Sequence, residues 1–137
     1  MDYKIVFYGS MPNLNDYLLG ERIPVRKNGK VTTKGNLMKQ ENQRKILNIL
    51  RKELLGVHIK KPITIEYKFY EQNRKRDLDN ISAFAHKVIQ DALVKAGTIE
   101  NDGWKHIKGF SDEFYLDSEN PRIEILLKEV EDYGIKQ

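Results

Sequence analysis

Arg76-Asp77-Leu78-Asp79-Asn80 stands where two hydrophobic periods meet, and its reading decides the fold. Before it, Ile63-Thr64-Ile65-Glu66-Tyr67-Lys68-Phe69-Tyr70 alternates with the period of a strand. After it, Ile81, Phe84, Ala85, Val88, Ala92 and Leu93 recur with the period of a helix. The spacing predicts a strand, a short polar junction and a helix from about Asn80 to Ala96, closed by Gly97. At 100° per residue, Ile81, Phe84, Ala85, Val88, Ala92 and Ala96 form one apolar stripe, with Asn80, Ala83, Lys87 and Gln90 on the opposite side.

The junction carries two carboxylates. Residues two apart on an extended segment project to the same side, so Asp77 and Asp79 can reach one point, which is a geometry for a metal ion. A purely local reading competes with this: Asp79 caps the helix, as Asp commonly does, and Asp77 is an exposed loop acid. That reading has no need of Asp102, placed just past the far end of the same helix. Nor does it need the run Arg74-Lys75-Arg76, which suits an approaching polyanion.

On the N-terminal side, Tyr3 to Tyr8 reads as a strand stopped by Gly9-Ser10-Met11-Pro12. Asn13-Leu14-Asn15-Asp16-Tyr17 reads as a polar loop whose amides cap local backbone or contact a ligand. Residues 20 to 36 read as a mobile arm decorated by Arg22, Arg26, Lys27, Lys30 and Lys34, with Asn28-Gly29 marking a tight hairpin. A helix follows from about Lys34 to Leu55, with Leu37, Ile46, Leu47, Leu50 and Leu54 as its buried positions and Gly56 at its end.

On the C-terminal side, Thr98 to Gly103 forms a turn, which gives Asp102 a structural role as well. Trp104 to Leu116 and Arg122 to Val130 read as strands joined as a hairpin around Asp117-Ser118-Glu119-Asn120-Pro121, and residues from Glu131 on are expected to fray. The order is strand, basic arm, helix, strand, helix, strand, strand. It predicts an α/β (α+β) domain spanning residues 1 to 137, with a small mixed four-stranded sheet and two main helices.

Composition narrows the chemistry. A chain of 137 residues suits one domain, and 39% hydrophobic with 32% charged residues places it among soluble globular proteins. No apolar run spans a bilayer and the N-terminus lacks a signal-peptide core, so the expectation is a cytoplasmic protein with no membrane partner. The absence of cysteine excludes a disulfide framework, a thiol nucleophile and a thiolate zinc site, and three scattered histidines argue against an imidazole cage. Any metal is therefore expected to be a hard ion held by oxygens. The net charge of +4, gathered in the arm and at residues 74 to 76, makes nucleic acid a reasonable partner.

Arg76-Asp77-Leu78-Asp79-Asn80, followed by Asp91-Ala92-Leu93-Val94-Lys95-Ala96-Gly97 and then Asn101-Asp102, resembles the RusA family of Holliday junction resolvases, common in bacteriophages and prophages. The likeness is clearest from Arg74 to Asp102, with a looser match in Met11-Pro12-Asn13-Leu14-Asn15. It implies a homodimeric, magnesium-dependent endodeoxyribonuclease that nicks four-way DNA junctions symmetrically in recombination and repair. Carried over by position, Asp77, Asp79 and Asp102 are the metal-binding acids, and Asn80 belongs to the same motif. One departure matters: the family's catalytic lysine, one turn after the second Asp, is Ala83 here. Lys87, one turn further, is the lysine placed to substitute for it.

The residues support that chemistry on their own terms. Mg²⁺, with Mn²⁺ as a possible substitute, neutralises phosphate charge and activates water when held by clustered carboxylates. On this reading Asp77, Asp79 and Asp102 hold the ion and Lys87 stabilises charge on the phosphate or leaving group. Arg74, Lys75, Arg76, Asn80, Asn15, Arg26, Lys27 and Lys30 contact DNA. The reading requires the three aspartates to meet. The alternative is a non-catalytic nucleic-acid-binding module whose acids are caps and turns. A metal enzyme acting on small phosphorylated molecules would share the acids but have no use for the arm.

Overall fold

Ile63, Ile65, Tyr67 and Phe69 alternate with Thr64, Glu66, Lys68 and Tyr70, and this period of two produces the central strand β4, Ile63–Glu71, whose odd-numbered side chains are all buried. The computed structural model describes residues 1–131; the fraying expected from Glu131 on lies, beyond that residue, outside the described residues. β4 is flanked by β6 (Arg122–Glu129), which runs antiparallel to it, and by β5 (Ile107–Leu116), which runs parallel. β1 (Asp2–Tyr8) pairs antiparallel with β6, giving a mixed four-stranded sheet in the order β1-β6-β4-β5.

The predicted hairpin between the last two strands does not form, because β5 and β6 lie on opposite sides of β4. Burial explains the arrangement. Ile123, Ile125 and Leu127 are almost wholly buried and need neighbours on both sides. β5 exposes Phe110, Tyr115 and Leu116 and tolerates the edge. The strand-helix-strand unit from β4 to β5 returns the chain parallel to its start, as such crossovers do. β5 also begins at Ile107 rather than Trp104, whose ring is 94% exposed.

The two expected helices are present as α2 (Lys34–Glu53) and α3 (Leu78–Lys95). α3 buries Ile81, Phe84, Ala85, Val88, Ile89, Ala92 and Leu93 against the odd-numbered face of β4 and its neighbours, while α2 contributes Ile46 and Leu50. Leu37, Leu47 and Leu54, expected to be buried, are only partly so. α3 ends on a left-handed Gly97 (φ +76°), with Thr98 N–H donating to Leu93 O (3.0 Å) and Gly97 N–H to Val94 O (3.0 Å). Those two bonds close the last turn and fix the direction in which the chain leaves the helix.

A third helix was not expected. Leu14–Gly20 forms α1 where the residue types suggested a polar loop. Asn13 caps it by accepting from Asp16 N–H (2.8 Å), and Tyr17 packs its ring 5.3 Å from Phe84. Tertiary contact thus supplies what seven residues cannot supply alone. α1 meets α2 at two glycines: a Cβ on Gly20 would lie 2.8 Å from the Gly35 nitrogen, and one on Gly35 would lie 2.7 Å from Tyr17 O.

The basic arm is a two-stranded hairpin, β2 (Pro24–Lys27) and β3 (Lys30–Thr33), turned by Asn28 (φ +53°) and Gly29 (φ +77°) as its Asn-Gly pair predicts. Its base is tied to the body. Lys34 N–H donates to Ile23 O (2.9 Å), Thr33 Oγ1 donates to Glu21 (2.9 Å), and Asn36 Nδ2 donates to Thr32 Oγ1 (2.8 Å).

Candidate functional site

The helix following β4 begins at Leu78, two residues earlier than its apolar period suggests, and this changes the surroundings of both acids. Asp77 occupies the N-cap position with an extended backbone (φ −70°, ψ 146°), yet its side chain makes no capping hydrogen bond. Asp79 lies inside the first turn instead of on an extended segment with Asp77. Both are exposed, and among the described residues neither carboxylate takes part in an ion pair or side-chain hydrogen bond. The partial positive charge at the start of α3 favours two anions there.

Of the three cations before the pair, Arg76 is directed inward. Its Nε and Nη2 each donate to the Glu71 carboxylate at 3.0 Å, and Nη1 donates to Met11 O at 2.8 Å. Glu71, the last residue of β4, is buried, so this bidentate pair fixes the junction between strand and helix. Arg74 and Lys75 remain exposed.

Arg76 borders two clefts. One, of about 680 Å³, is lined by Asn73, Arg74, Asp77, Leu78, Phe114 and Tyr115, among others. The other, of about 610 Å³, lies between Met11-Pro12 and α2 and takes in Lys34, Lys45 and Asn42. Lys34 is also the residue at the base of the hairpin, so the arm leads to the second cleft. Arg26, Lys27 and Lys30 are exposed on the hairpin, Asn15 is exposed on α1, and Asn80 is half-buried on α3.

Asp102 is elsewhere. α3, 18 residues long, rises about 27 Å. Asp77 and Asp79 stand at its start, and Asp102 lies beyond its end. The sheet agrees: Ile63 pairs with Ile107 at one end and Glu71 with Leu116 at the other, so the chain before β5 and the chain after β4 occupy opposite ends of the two strands. The expected meeting of Asp77, Asp79 and Asp102 therefore does not occur within one chain. Among the described residues no three Asp, Glu, His or Cys side chains are grouped to hold a metal. A cleft of about 830 Å³ lies at the Asp102 end with Gln90, Trp104, Lys105, Lys108 and Phe110. It offers a single acid, Asp102, with Lys105 and Lys108 beside a largely apolar wall, and so lacks the paired carboxylates of the other end.

Lys87 is exposed on α3, as its place opposite the apolar stripe predicts, but eight residues on from Asp79, about 12 Å along the axis. Sequence reading missed the residue beside it. His86, two turns after Asp79, has its Nε2 2.7 Å from Asp112 Oδ1, and its ring packs 4.5 Å from Tyr67 and 4.6 Å from Phe110. Gln90 donates to the Tyr67 hydroxyl (3.2 Å), whose burial pushes it above the ordinary phenol range. The available signal was Asp112 between Phe110 and Phe114, a charge on the helix-facing side of a strand, which needs a partner.

Neither a family model nor a curated protein matches this chain.

Proposed function

We propose that the protein is a Mg²⁺-dependent endodeoxyribonuclease that acts on branched DNA, resolving four-way junctions by paired nicks, as the resemblance to the RusA family implies. One observation carries the reading: Asp77 holds the N-cap position of α3 without capping it, leaving two unengaged carboxylates two residues apart beside exposed Arg74 and Lys75. A structural cap would bond its own helix. Mg²⁺ is commonly held by one or two carboxylates together with water and substrate phosphate, so a pair of aspartates fits it where a closed cage of protein ligands is lacking. The bound ion would neutralise phosphate charge and lower the pKa of a water.

The remaining tasks fall to this chain's own side chains. Arg74 and Lys75 hold phosphates close to the acids, and the hairpin's Arg26, Lys27 and Lys30 bind backbone further out, positioning the DNA without reading its sequence. Arg76 keeps strand and helix in register from behind. Lys87, at its distance, serves the phosphate backbone better than the leaving group. Symmetric nicking needs two such sites, and one chain offers one pair; a homodimer is part of the proposal.

The remoteness of Asp102 favours a second reading, a non-catalytic nucleic-acid-binding module with the same basic surface. Incubation with a labelled four-way junction and a matched linear duplex, with and without Mg²⁺, separates the two. Paired nicks in the junction that need the metal and vanish in Asp77→Asn support the nuclease. Binding with no cleavage under any divalent ion supports the module.

A further inference from the structure

On the face of the sheet away from the helices, pairing brings four side chains into one row across all four strands. Tyr8 of β1 is opposite Arg122 of β6, Arg122 is opposite Tyr70 of β4, and Tyr70 is opposite Tyr115 of β5. Three of them stand on edge and stack. The Arg122 guanidinium lies 3.8 Å from the Tyr70 ring centre, and the Tyr70 and Tyr115 rings lie 5.0 Å apart, 21° from parallel. We propose that the outer face of Tyr115 continues this stack into a seat for an unpaired nucleobase of the DNA held at Asp77.

The row is built to hold still. Arg122 donates to Asp117 Oδ2 (2.8 Å) and to Glu124 Oε2 (2.9 Å), so its plane is set before anything binds. The Tyr115 hydroxyl donates to Glu113 (3.1 Å), which keeps that ring upright. One face of Tyr70 is covered by arginine and the other by Tyr115, whereas Tyr115 closes the row at an edge strand and is 41% exposed.

Cross-strand packing accounts for the inner members, and any aromatic on an edge strand leaves one face open. What makes this one a seat is its position. Tyr115 stands on the edge strand at the rim of the cleft that Asp77, Arg74 and Asn73 line, so a strand whose phosphate lies between Arg74 and Asp77 has only to turn around that edge to set a neighbouring base on the ring. The charge suits a nucleic acid there, because Glu71, the other acid of that cleft, is neutralised by Arg76. Duplex bases are already stacked and have no face to offer, so an occupant must be unpaired, as bases at a branch point are able to become. Stacking of this kind depends little on base identity.

The inference rests on the reading that branched DNA is the ligand, and its test separates the two. A four-way junction carrying 2-aminopurine at the branch point is titrated with protein in EDTA, with fluorescence reporting stacking and anisotropy reporting binding. The wild type quenches the branch-point probe by about half or more and leaves a probe within a paired arm unchanged. Tyr115→Phe keeps the quench, while Tyr115→Val, which preserves a good strand former, loses it and binds the junction about 5- to 150-fold more weakly. Binding without quench in the wild type, or an equal quench in Tyr115→Val, overturns the seat and leaves the nuclease reading standing. Quench without Mg²⁺-dependent cleavage in a parallel assay keeps the seat and overturns the nuclease. No binding at all removes both.

Discussion

At the start of α3, Asp77 and Asp79 stand exposed and unengaged beside Arg74 and Lys75, backed by a bidentate Arg76–Glu71 pair. At its other end Asp102 sits in a turn closed by Gly103 N–H donating to Asn101 Oδ1 (2.7 Å), after a helix terminus sealed by Thr98 and Gly97. Residue type is the same at both ends, but circumstance is not. At the first end a bidentate ion pair fixes the backbone behind two acids that stand two residues apart beside Arg74; at the second, a single acid borders a largely apolar cleft that also takes in Lys105 and Lys108. Chemistry follows the frame rather than the letter, and the contrast can be broken at several points.

The largest effect is expected in activity. Asp77→Asn or Asp79→Asn should lower Mg²⁺-dependent junction cleavage by about 1,000-fold, since several kcal/mol of charge stabilisation go with the ion, while leaving binding equal or tighter. Asp102→Asn should cost less than about threefold, because a site about 27 Å away through a helix contributes little directly. Gel assays of initial rate decide it. If Asp102→Asn is as damaging as Asp77→Asn, the two ends do meet, and only a second copy can bring them together. Mixing the Asp77→Asn and Asp102→Asn proteins would then restore a share of the activity.

Next comes the frame itself. Arg76→Ala leaves the Glu71 carboxylate buried without its partner, and breaking such a pair from one side commonly costs about 3 to 5 kcal/mol. Residual exposure of the two side chains, 23% and 11%, brings the expectation to about 2–3 kcal/mol in urea unfolding. Arg74→Ala, by contrast, should leave unfolding unchanged. Equal stability of the two variants would mean that Arg76 faces DNA after all.

How much of this contrast could be read in advance depends on whether the cause was local. The period of two in β4, the 3.6 period of α3 and the Asn-Gly turn of the arm are each written within a dozen residues and were legible. α1 was not, because its stability comes from Tyr17 on Phe84 and from a glycine contact between helices, neither of which seven residues disclose. The placement of β6 between β1 and β4 was hidden behind turn residues that suit a hairpin equally well. The same limit applies to the site. Asp77 and Asp79 were found by their neighbours in sequence, whereas joining Asp102 to them took the length of α3 for no obstacle. Arg76 looked like one of three surface cations until Glu71, five residues earlier, claimed it.

Smaller, and confined to binding, is the effect of the exposed cations at the first end. Replacing both Arg74 and Lys75 by alanine should weaken junction affinity about tenfold near physiological salt. It should also reduce the slope of log K against log salt by about two, one for each phosphate that is no longer neutralised. Lys105→Ala and Lys108→Ala at the other end of the helix should change neither. A flattened slope from the Lys105 and Lys108 variants would put DNA across the opposite end and reverse the assignment of the two clefts.

The smallest expected effect concerns acid, and it reaches the stacked row through Arg122. Hydrogen bonds from Arg122 hold the Asp117 carboxyl below its usual range. Burial works against ionisation of Glu124, but bonds from Arg122 and Lys4 outweigh it and leave that carboxyl lowered too. A carboxylate whose folded pKa is depressed adds stability that is present above its unfolded pKa and is lost as pH falls through the folded one. Acidification below the ordinary carboxylate range should therefore release Arg122 and loosen its contact with Tyr70. Arg122→Gln should show a flatter acid limb in thermal unfolding than the wild type: the two differ at pH 7, by a small amount because both acids are accessible to water and screened, and converge as the carboxyls protonate. An unchanged acid limb would mean that the arginine is held by its stack on Tyr70 alone, and the row would then owe its order to the rings rather than to the acids beneath them.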